Sequence, residues 1–198
     1  MPHPPAPPRP EPHLTVICGP MFAGKTTEIL RRVEDARSRG EHVLVVKPER
    51  DTRYATDELV THAGERIPAL NARDATDITS LFRSARSSPA LVVIDEVHFF
   101  ASHAVAPIEE LLSHGVRVVV AGCDIDHFGD VFTPFDTLIP RADEIVRVRG
   151  TCARCGAPST HSERLIASTN RIILGGAAEF APTCIACFRP SRRPPNDA

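Results

Sequence analysis

The sequence has no tryptophan and one tyrosine, and only 5% of its 198 residues are aromatic. It also lacks an excess of charge of one sign, since the formal net charge is −2. This balance predicts no broad basic surface for duplex nucleic acid. No apolar run approaches the length of a membrane span. We therefore expect a globular protein that binds neither nucleic acid nor a membrane.

The N-terminal segment lacks the apolar stretch of a secretory signal, because residues 1–12 carry seven prolines and no hydrophobic run. We therefore expect a cytoplasmic protein whose six cysteines stay reduced. Residues 1–13 are rich in proline, and residues 189–198 carry three prolines and three arginines. Both segments are predicted to be disordered tails.

Short apolar runs alternate with helical patterns between residues 14 and 150. Helices are predicted at 26–39, 74–87 and 104–114, and a polar loop at 49–71. Strands are predicted at 14–18, 42–46, 91–94, 116–121 and 144–148. The alternation indicates an α/β fold, a parallel sheet with helices on both faces. Paired cysteines and little core-forming material after Gly150 predict a small second domain at 151–188.

A glycine-rich loop follows the first predicted strand and matches the pattern GxxxxGK[ST]. Its backbone amides and the start of the next helix are suited to bind phosphate oxygens. In such a loop the lysine neutralises the β- and γ-phosphates, and the hydroxyl is a ligand of Mg²⁺. The sequence therefore predicts a site for ATP and Mg²⁺ formed by Gly19, Pro20, Met21, Phe22, Ala23, Gly24, Lys25 and Thr26.

The apolar run at 91–94 ends in two carboxylates, Asp95 and Glu96, the Walker B arrangement. We expect this strand end to lie beside the phosphate loop, with Asp95 near Mg²⁺. Glu96, one residue further on, is then placed to act as a base on an attacking hydroxyl.

Four of the six cysteines form two CxxC pairs, Cys152 with Cys155 and Cys184 with Cys187. Four thiolates at this spacing suit a tetrahedral structural Zn²⁺, and redox dithiols or unliganded thiols are the alternatives. The 28 residues between the pairs exceed the usual separation of about 15–20 residues, so an extra segment must loop out between them. Cys18 and Cys123 fall on or beside predicted strands, where a buried apolar role is expected.

Two other classes of protein are alternatives to an enzyme that acts on a small molecule. Residues 95–98 also read as a DExH box, which would suit a nucleic-acid-dependent ATPase. A chain of 198 residues leaves no room for a second ATPase lobe, and the charge does not suit a strand channel. A non-catalytic zinc-binding interaction protein is disfavoured by the intact Lys25, Thr26, Asp95 and Glu96.

Residues beyond these general motifs resemble the type II (cellular-type) thymidine kinases. The resemblance covers residues 14–188 and rests on the Pro-Met-Phe insert in the phosphate loop, Asp-Thr-Arg-Tyr at 51–54, Thr-His at 61–62, Phe-Phe at 99–100, Gly-Cys-Asp at 122–124 and Gly-Gly at 175–176. It implies a RecA-like P-loop kinase domain at 14–150. Residues 151–188 would form a zinc-binding lasso domain that closes over the nucleoside.

The resemblance implies transfer of the γ-phosphoryl group of ATP to the 5′-hydroxyl of thymidine, which gives dTMP. In this scheme Glu96 is the general base, and Lys25 with the loop amides holds the triphosphate. Asp51 and Arg53 approach the phosphates, and Arg53 steadies charge in the transition state. His98, where the family has Gln, belongs to the cofactor side. The resemblance further implies a homotetramer and raises feedback inhibition by dTTP.

The resemblance also implies a nucleoside pocket. Its matching side chains are Met21, Phe99, Cys123, His127, Phe132 and Phe180. Backbone groups of the lasso would read the base edge, from Arg171, Ile172, Ile173, Leu174 and Gly175, and Arg164 would anchor the lasso. Three of these pocket positions differ from the family: His127 replaces Phe, Cys123 replaces Leu and Phe180 replaces Tyr. Phe128 follows His127 directly, so either ring is a candidate to stack on the pyrimidine.

Overall fold

A computed structural model describes residues 13–51, 57–61, 64–168 and 170–193. Ten strands have the bounds β1 Leu14–Cys18, β2 Val43–Pro48, β3 Glu58–Val60, β4 Arg66–Pro68, β5 Leu70–Ala72, β6 Leu91–Ile94, β7 Arg117–Gly122, β8 Glu144–Arg147, β9 His161–Arg164 and β10 Phe180–Thr183. The helices are α1 Lys25–Ser38, α2 Thr76–Ser84, α3 Val105–Ser113 and α4 Phe135–Leu138, and 3₁₀ turns span Val97–Ala104 and Ile139–Arg141.

Six strands form one parallel sheet in the order β5-β2-β6-β7-β1-β8. Two antiparallel hairpins, β3 with β4 and β9 with β10, complete the strands. This architecture confirms the predicted α/β fold with a parallel sheet. Every helix in the described part of the chain is too short or too polar to cross a bilayer.

The sheet has a hydrophobic core on each face because successive strand residues point to opposite sides. On one face, Val16 packs in a cluster with Ile108 of α3 and Phe135 of α4. On the other face, Ile17 packs in a cluster with Val33 of α1. The β3–β4 hairpin joins this second core through its buried residues Leu59 and Ile67. All parallel strands therefore end at one edge, where the loops that carry the motifs meet.

The structure corrects one expectation. Residues 49–71 are not simply a polar loop, because β3, β4 and the start of β5 lie there. These strands have three residues each, too few to show an alternating pattern. In the strand order β7 lies between β1 and β6, and the end of β6 with Asp95 nevertheless lines one cavity with the phosphate loop.

Residues 189–193, predicted as the start of a tail, lie along the turn at 126–130. The backbone N–H of Ser191 donates to the carbonyl of His127 over 3.0 Å. Arg193 forms an ion pair with Asp130. The predicted tails at 1–12 and 194–198 lie outside the described residues.

Ala101 has a backbone conformation that favours glycine, with φ 49° and ψ −145°. Strain of this kind costs about 1–3 kcal/mol, whereas the added chain entropy of a glycine costs about 0.4–1 kcal/mol. We predict that Ala101→Gly raises the free energy of unfolding by about 1 kcal/mol, measured by urea denaturation.

The matched control is Ala106→Gly in α3, where glycine should lower the free energy of unfolding by about 1 kcal/mol. Equal destabilisation by both substitutions would contradict the strain at Ala101.

Candidate active site

The phosphate loop connects β1 to α1, and two of its glycines are required by the backbone. Gly24 immediately precedes α1 with φ 90°, a left-handed conformation. Gly19 has φ 149°, and a Cβ there would collide with the carbonyl oxygen of Val148. The loop can therefore pass close to β8 and still present its amides at the start of α1.

The ammonium group of Lys25 is buried inside this loop. Its Nζ donates to the carbonyl oxygens of Pro20 at 2.8 Å and Gly19 at 3.1 Å. It also lies 3.6 Å from Sγ of Cys123. Burial acts to lower the pKa of Lys25, but nearby Cys123, Glu96 and Asp95 outweigh it and raise the pKa. Lys25 is therefore a fixed positive charge at the strand ends.

A first cavity of about 710 Å³ opens to solvent in front of the loop. The following residues, which the sequence predicted for the active site, line this cavity: Met21, Phe22, Ala23, Gly24, Lys25, Thr26, Asp51, Asp95 and Glu96. Gly19 and Pro20 do not line it, and their carbonyls hold Lys25 instead. Arg53 lies outside the described residues.

The acidic groups of this cavity fit a divalent cation. Asp95 is buried and accepts a hydrogen bond from the N–H of Glu96 at 2.9 Å. Burial, together with the charges of Glu96 and Asp51, raises the pKa of Asp95 to about 7. A bound cation would relieve this crowding of negative charge. The carboxylate of Asp95 and the hydroxyl of Thr26 are oxygen ligands of the kind Mg²⁺ prefers.

Sequence reasoning missed part of the cavity wall. Lys47, at the end of β2, is buried and lines the cavity. Its Nζ donates to the carbonyls of Asp51 and Glu58, each at 3.1 Å. Lys47 thereby joins the loop after β2 to the β3–β4 hairpin. Its signal in the sequence is a lysine at the carboxyl end of an apolar strand.

Glu96 lies where the first cavity meets a second one, and it lines both. Its backbone is left-handed, with φ 48° and ψ 42°. Its side chain is buried, and its Oε2 lies 3.4 Å from Nδ1 of His98. The His98 ring stacks on Phe99 with centroids 4.5 Å apart and tilts against Phe132 at 5.0 Å. A carboxylate is thus held at the boundary between two binding spaces.

The second cavity has a volume of about 450 Å³ and aromatic walls. The structure brings together there most of the predicted nucleoside residues: Met21, Phe99, Cys123, His127, Phe132, Arg171, Ile172, Ile173 and Phe180. His98, predicted on the cofactor side, lines this cavity instead. Ile125, Asp126 and Ser162 also line it and were not predicted.

Three predicted residues of the lasso do not line the second cavity. Leu174 and Gly175 lie outside its lining, and Leu174 is 45% exposed. Arg164 is buried beside it and donates to the carbonyls of Ser168 at 3.3 Å and Arg171 at 3.0 Å.

His127 is a buried neutral ring in this cavity. Burial, assisted by the positive charge of Arg164, lowers its pKa to about 4. Among the residues that the structure describes, neither ring nitrogen has a hydrogen-bond partner of good geometry. The Arg171 carbonyl is nevertheless close enough to raise the pKa slightly. The ring packs against Phe128 with centroids 3.9 Å apart.

The four CxxC cysteines come together in one cluster. Their Sγ atoms all lie within 4.8 Å of one another. The Sγ atoms of Cys155 and Cys184 are 3.6 Å apart. A tetrahedral Zn²⁺ with Zn–S bonds of about 2.3 Å would place the sulfurs about 3.8 Å apart. The donor set therefore fits a structural zinc ion.

The four neighbouring thiols change one another's ionisation in opposite directions. The backbone N–H of Cys184 helps to lower the pKa of Cys152 to about 6. Hydrogen bonds with Cys155 and Cys184 raise the pKa of Cys187 to about 12. Without a cation, four thiolates so close together would repel each other.

The parallel sheet, the phosphate loop and the acidic strand end define a P-loop nucleotide-binding protein with a cluster of cysteines suited to zinc. The family model described as thymidine kinase matches residues 12–188. The chain belongs to the thymidine kinase family. This confirms the resemblance seen in the sequence, and it makes the chain an ATP-dependent nucleoside kinase, a transferase.

Several curated relatives carry the name thymidine kinase. That of Rhodothermus sp. (strain ITI 518) is 36% identical over 179 residues, which are 90% of this chain and 82% of the relative. That of Bacteroides thetaiotaomicron is 35% identical over 179 residues, 90% of this chain and 88% of the relative. That of Deinococcus deserti is 37% identical, over 84% of this chain and 89% of the relative.

Among solved structures, the crystal structure of a DNA replication initiation factor aligns with 69% of this chain and 40% of its own. The TM-score is 0.41 and the identity 15%, a likeness too low to carry a conclusion.

Removal of one cysteine tests the metal site. We predict that Cys184→Ser reduces bound zinc from about one ion per chain to a small fraction, because structural sites need four ligands. The measurement is elemental analysis of the purified protein. The control is Cys18→Ala, which removes a buried cysteine outside the cluster and should leave the zinc content unchanged. Full zinc in the Cys184→Ser protein would contradict a four-cysteine site.

Proposed function

We propose that this protein phosphorylates the 5′-hydroxyl of thymidine with ATP and gives dTMP, a nucleotide for DNA synthesis. One observation carries the proposal: Glu96 lines both the phosphate-loop cavity and the aromatic cavity. A base shared by two adjacent spaces can act on a hydroxyl of one ligand while the other ligand presents a phosphoryl group. Membership of the thymidine kinase family supports thymidine as the acceptor.

In the first cavity, the loop amides and Lys25 hold the triphosphate. Asp51 and Arg53 lie close to its phosphates. Thr26 and Asp95 would hold Mg²⁺, which would neutralise charge on the phosphate oxygens. The common lining of the first cavity supports the roles of Lys25, Thr26, Asp51 and Asp95. The role of Arg53 is proposed on the family resemblance.

On the acceptor side, Glu96 receives the proton of the 5′-hydroxyl as the phosphoryl group is transferred. His98 beside it keeps the carboxylate in place. The rings of Phe99, Phe132 and Phe180 enclose the base, with Met21 and Cys123 at its edge. Backbone groups of residues 171–173 meet the polar edge of the base, a role that is supported by the place of these residues in the lining of the same cavity.

We propose the same division of the chain as the sequence indicated, a kinase domain at 14–150 and a zinc-binding lasso domain at 151–188. A cytoplasmic location suits cysteines that form no disulfide bond in the described part of the chain. A homotetramer and feedback inhibition by dTTP are proposed on the family resemblance.

The proposal is tested by a kinase assay with ATP, Mg²⁺ and each of the four deoxynucleosides. Thymidine should be phosphorylated in preference to the other three. Glu96→Gln should reduce kcat by about 10²–10⁴-fold, because general-base catalysis contributes about that much. ATP binding, measured by calorimetry, should be unchanged, since the amide has the same shape.

Absence of thymidine phosphorylation by the zinc-loaded protein would reject the proposed function. A near-normal kcat in Glu96→Gln would instead reject only the role of Glu96.

His127→Phe tests whether the ring at this position serves only as a packing surface. Burying an imidazole without good hydrogen bonds costs free energy, and phenylalanine removes this cost. We predict that the thymidine KM stays the same or falls, measured in steady-state assays at saturating ATP. A large increase in KM would show that His127 makes a bond of its own to the nucleoside.

A further inference from the structure

Residues 171–173 line the second cavity together with residues that come from the kinase domain. Arg171, Ile172 and Ile173 lie between β9 and β10 in the chain, whereas His127 and Phe132 follow β7. The segment 171–173 therefore closes the cavity from the side of the zinc-binding part. Something must hold it against the kinase domain.

Asp126 supplies a buried negative charge at this boundary. Its side chain is fully buried. One carboxylate oxygen, Oδ1, accepts the N–H groups of Phe128 and Asp130, both at 2.9 Å. The second oxygen, Oδ2, accepts Nε of Arg171 at 2.6 Å. Arg171 is the cation at ion-pair distance from Asp126 among the residues that the structure describes.

Arg171 makes further contacts with the same part of the kinase domain. Its guanidinium donates to the carbonyl of Val131 at 3.3 Å. It also lies 5.3 Å from the centroid of the Phe132 ring, a cation–π contact. Phe132 is itself a wall of the cavity. The side chain of Arg171 thus contacts the Asp126 carboxylate, the Val131 carbonyl and the Phe132 ring at the same time.

The backbone of the same residue is held from the opposite side. The carbonyl of Arg171 accepts a hydrogen bond from Arg164 of β9 at 3.0 Å. The segment is therefore fixed at one residue in two directions, by its side chain toward the kinase domain and by its carbonyl toward the β9–β10 hairpin. If the segment lifted, the buried carboxylate of Asp126 would lose its cation, which is costly.

We propose that the Asp126–Arg171 ion pair is the latch that holds segment 171–173 closed over the nucleoside, and that Arg171 is a positioning residue for nucleoside affinity. The inference rests on the proposed function for the identity of the ligand. In this proposal the ion pair holds the segment in its closed position, whereas Glu96 acts in the phosphoryl transfer. Because the side chain of Arg171 is 48% exposed, the latch is sensitive to salt.

The kinetic test compares three variants of the zinc-loaded protein. Arg171→Gln should raise the thymidine KM about tenfold, as expected for loss of a charged hydrogen bond, with kcat and the ATP KM within about twofold. Arg171→Lys keeps the charge but loses the planar fork, so about a threefold rise in KM is expected, smaller at low salt. The control, Arg83→Gln, removes a surface ion pair with Glu110 and should change none of these values.

A second measurement does not depend on turnover. Amide hydrogen exchange across residues 171–176 of the nucleoside-free protein should be faster in Arg171→Gln than in the parent and the Arg83→Gln control. The exchange rate reports on the closed position of the segment even if thymidine is not phosphorylated. Failure of the proposed function and failure of the latch are therefore distinguishable. Unchanged exchange overturns the latch, and so does an unchanged thymidine KM or a loss confined to kcat in a protein that phosphorylates thymidine.

Discussion

The buried ammonium of Lys25 is the interaction on which the site depends. It is removed from water, and it stays charged because three strand ends deliver partners to it. The loop after β1 supplies carbonyl oxygens, the end of β7 supplies Cys123, and the end of β6 supplies Asp95 and Glu96. Those acids are buried as well, and without the ammonium their mutual repulsion would be uncompensated. Since parallel strands end at one edge, the formation of the sheet and the assembly of this charge cluster are one event.

The segment that carries the four clustered cysteines is connected to the phosphate loop by a hydrogen bond. Oγ of Ser162 in β9 accepts the N–H of Met21 in the phosphate loop at 2.9 Å. At the junction between the two parts, a Cβ on Gly150 would lie 3.0 Å from the carbonyl oxygen of Phe22. The loop is therefore supported from outside the kinase domain as well as from β1 and α1.

The sequence predicted those parts of the molecule that have local signals. The bounds of β1 and β6 agree in full because both are apolar runs ended by a turn or by acids. His98 lines the second cavity and not the first for a reason that the sequence does not show. The left-handed backbone at Glu96 starts a 3₁₀ turn that carries the His98 ring under β7, where only a glycine at position 122 leaves room. Asp126 and Ser162 were missed because each acts through partners more than 40 residues away, Arg171 and Met21.

The two cavities differ in electrostatic character, and Glu96 lies at the boundary between them. Lys25, Lys47 and Asp95 make the first cavity a place for charged groups, whereas aromatic rings and a neutral His127 suit the second to an uncharged ligand. In the proposed reaction, the nucleoside hydroxyl is a neutral group that gains negative charge as it loses its proton toward Glu96. The positive charge of Lys25 lies just across the boundary, so the acceptor becomes anionic where its approach to the phosphoryl group is most favoured. Within the described lining of the aromatic cavity the cationic side chain is Arg171, and its charge is paired with that of Asp126.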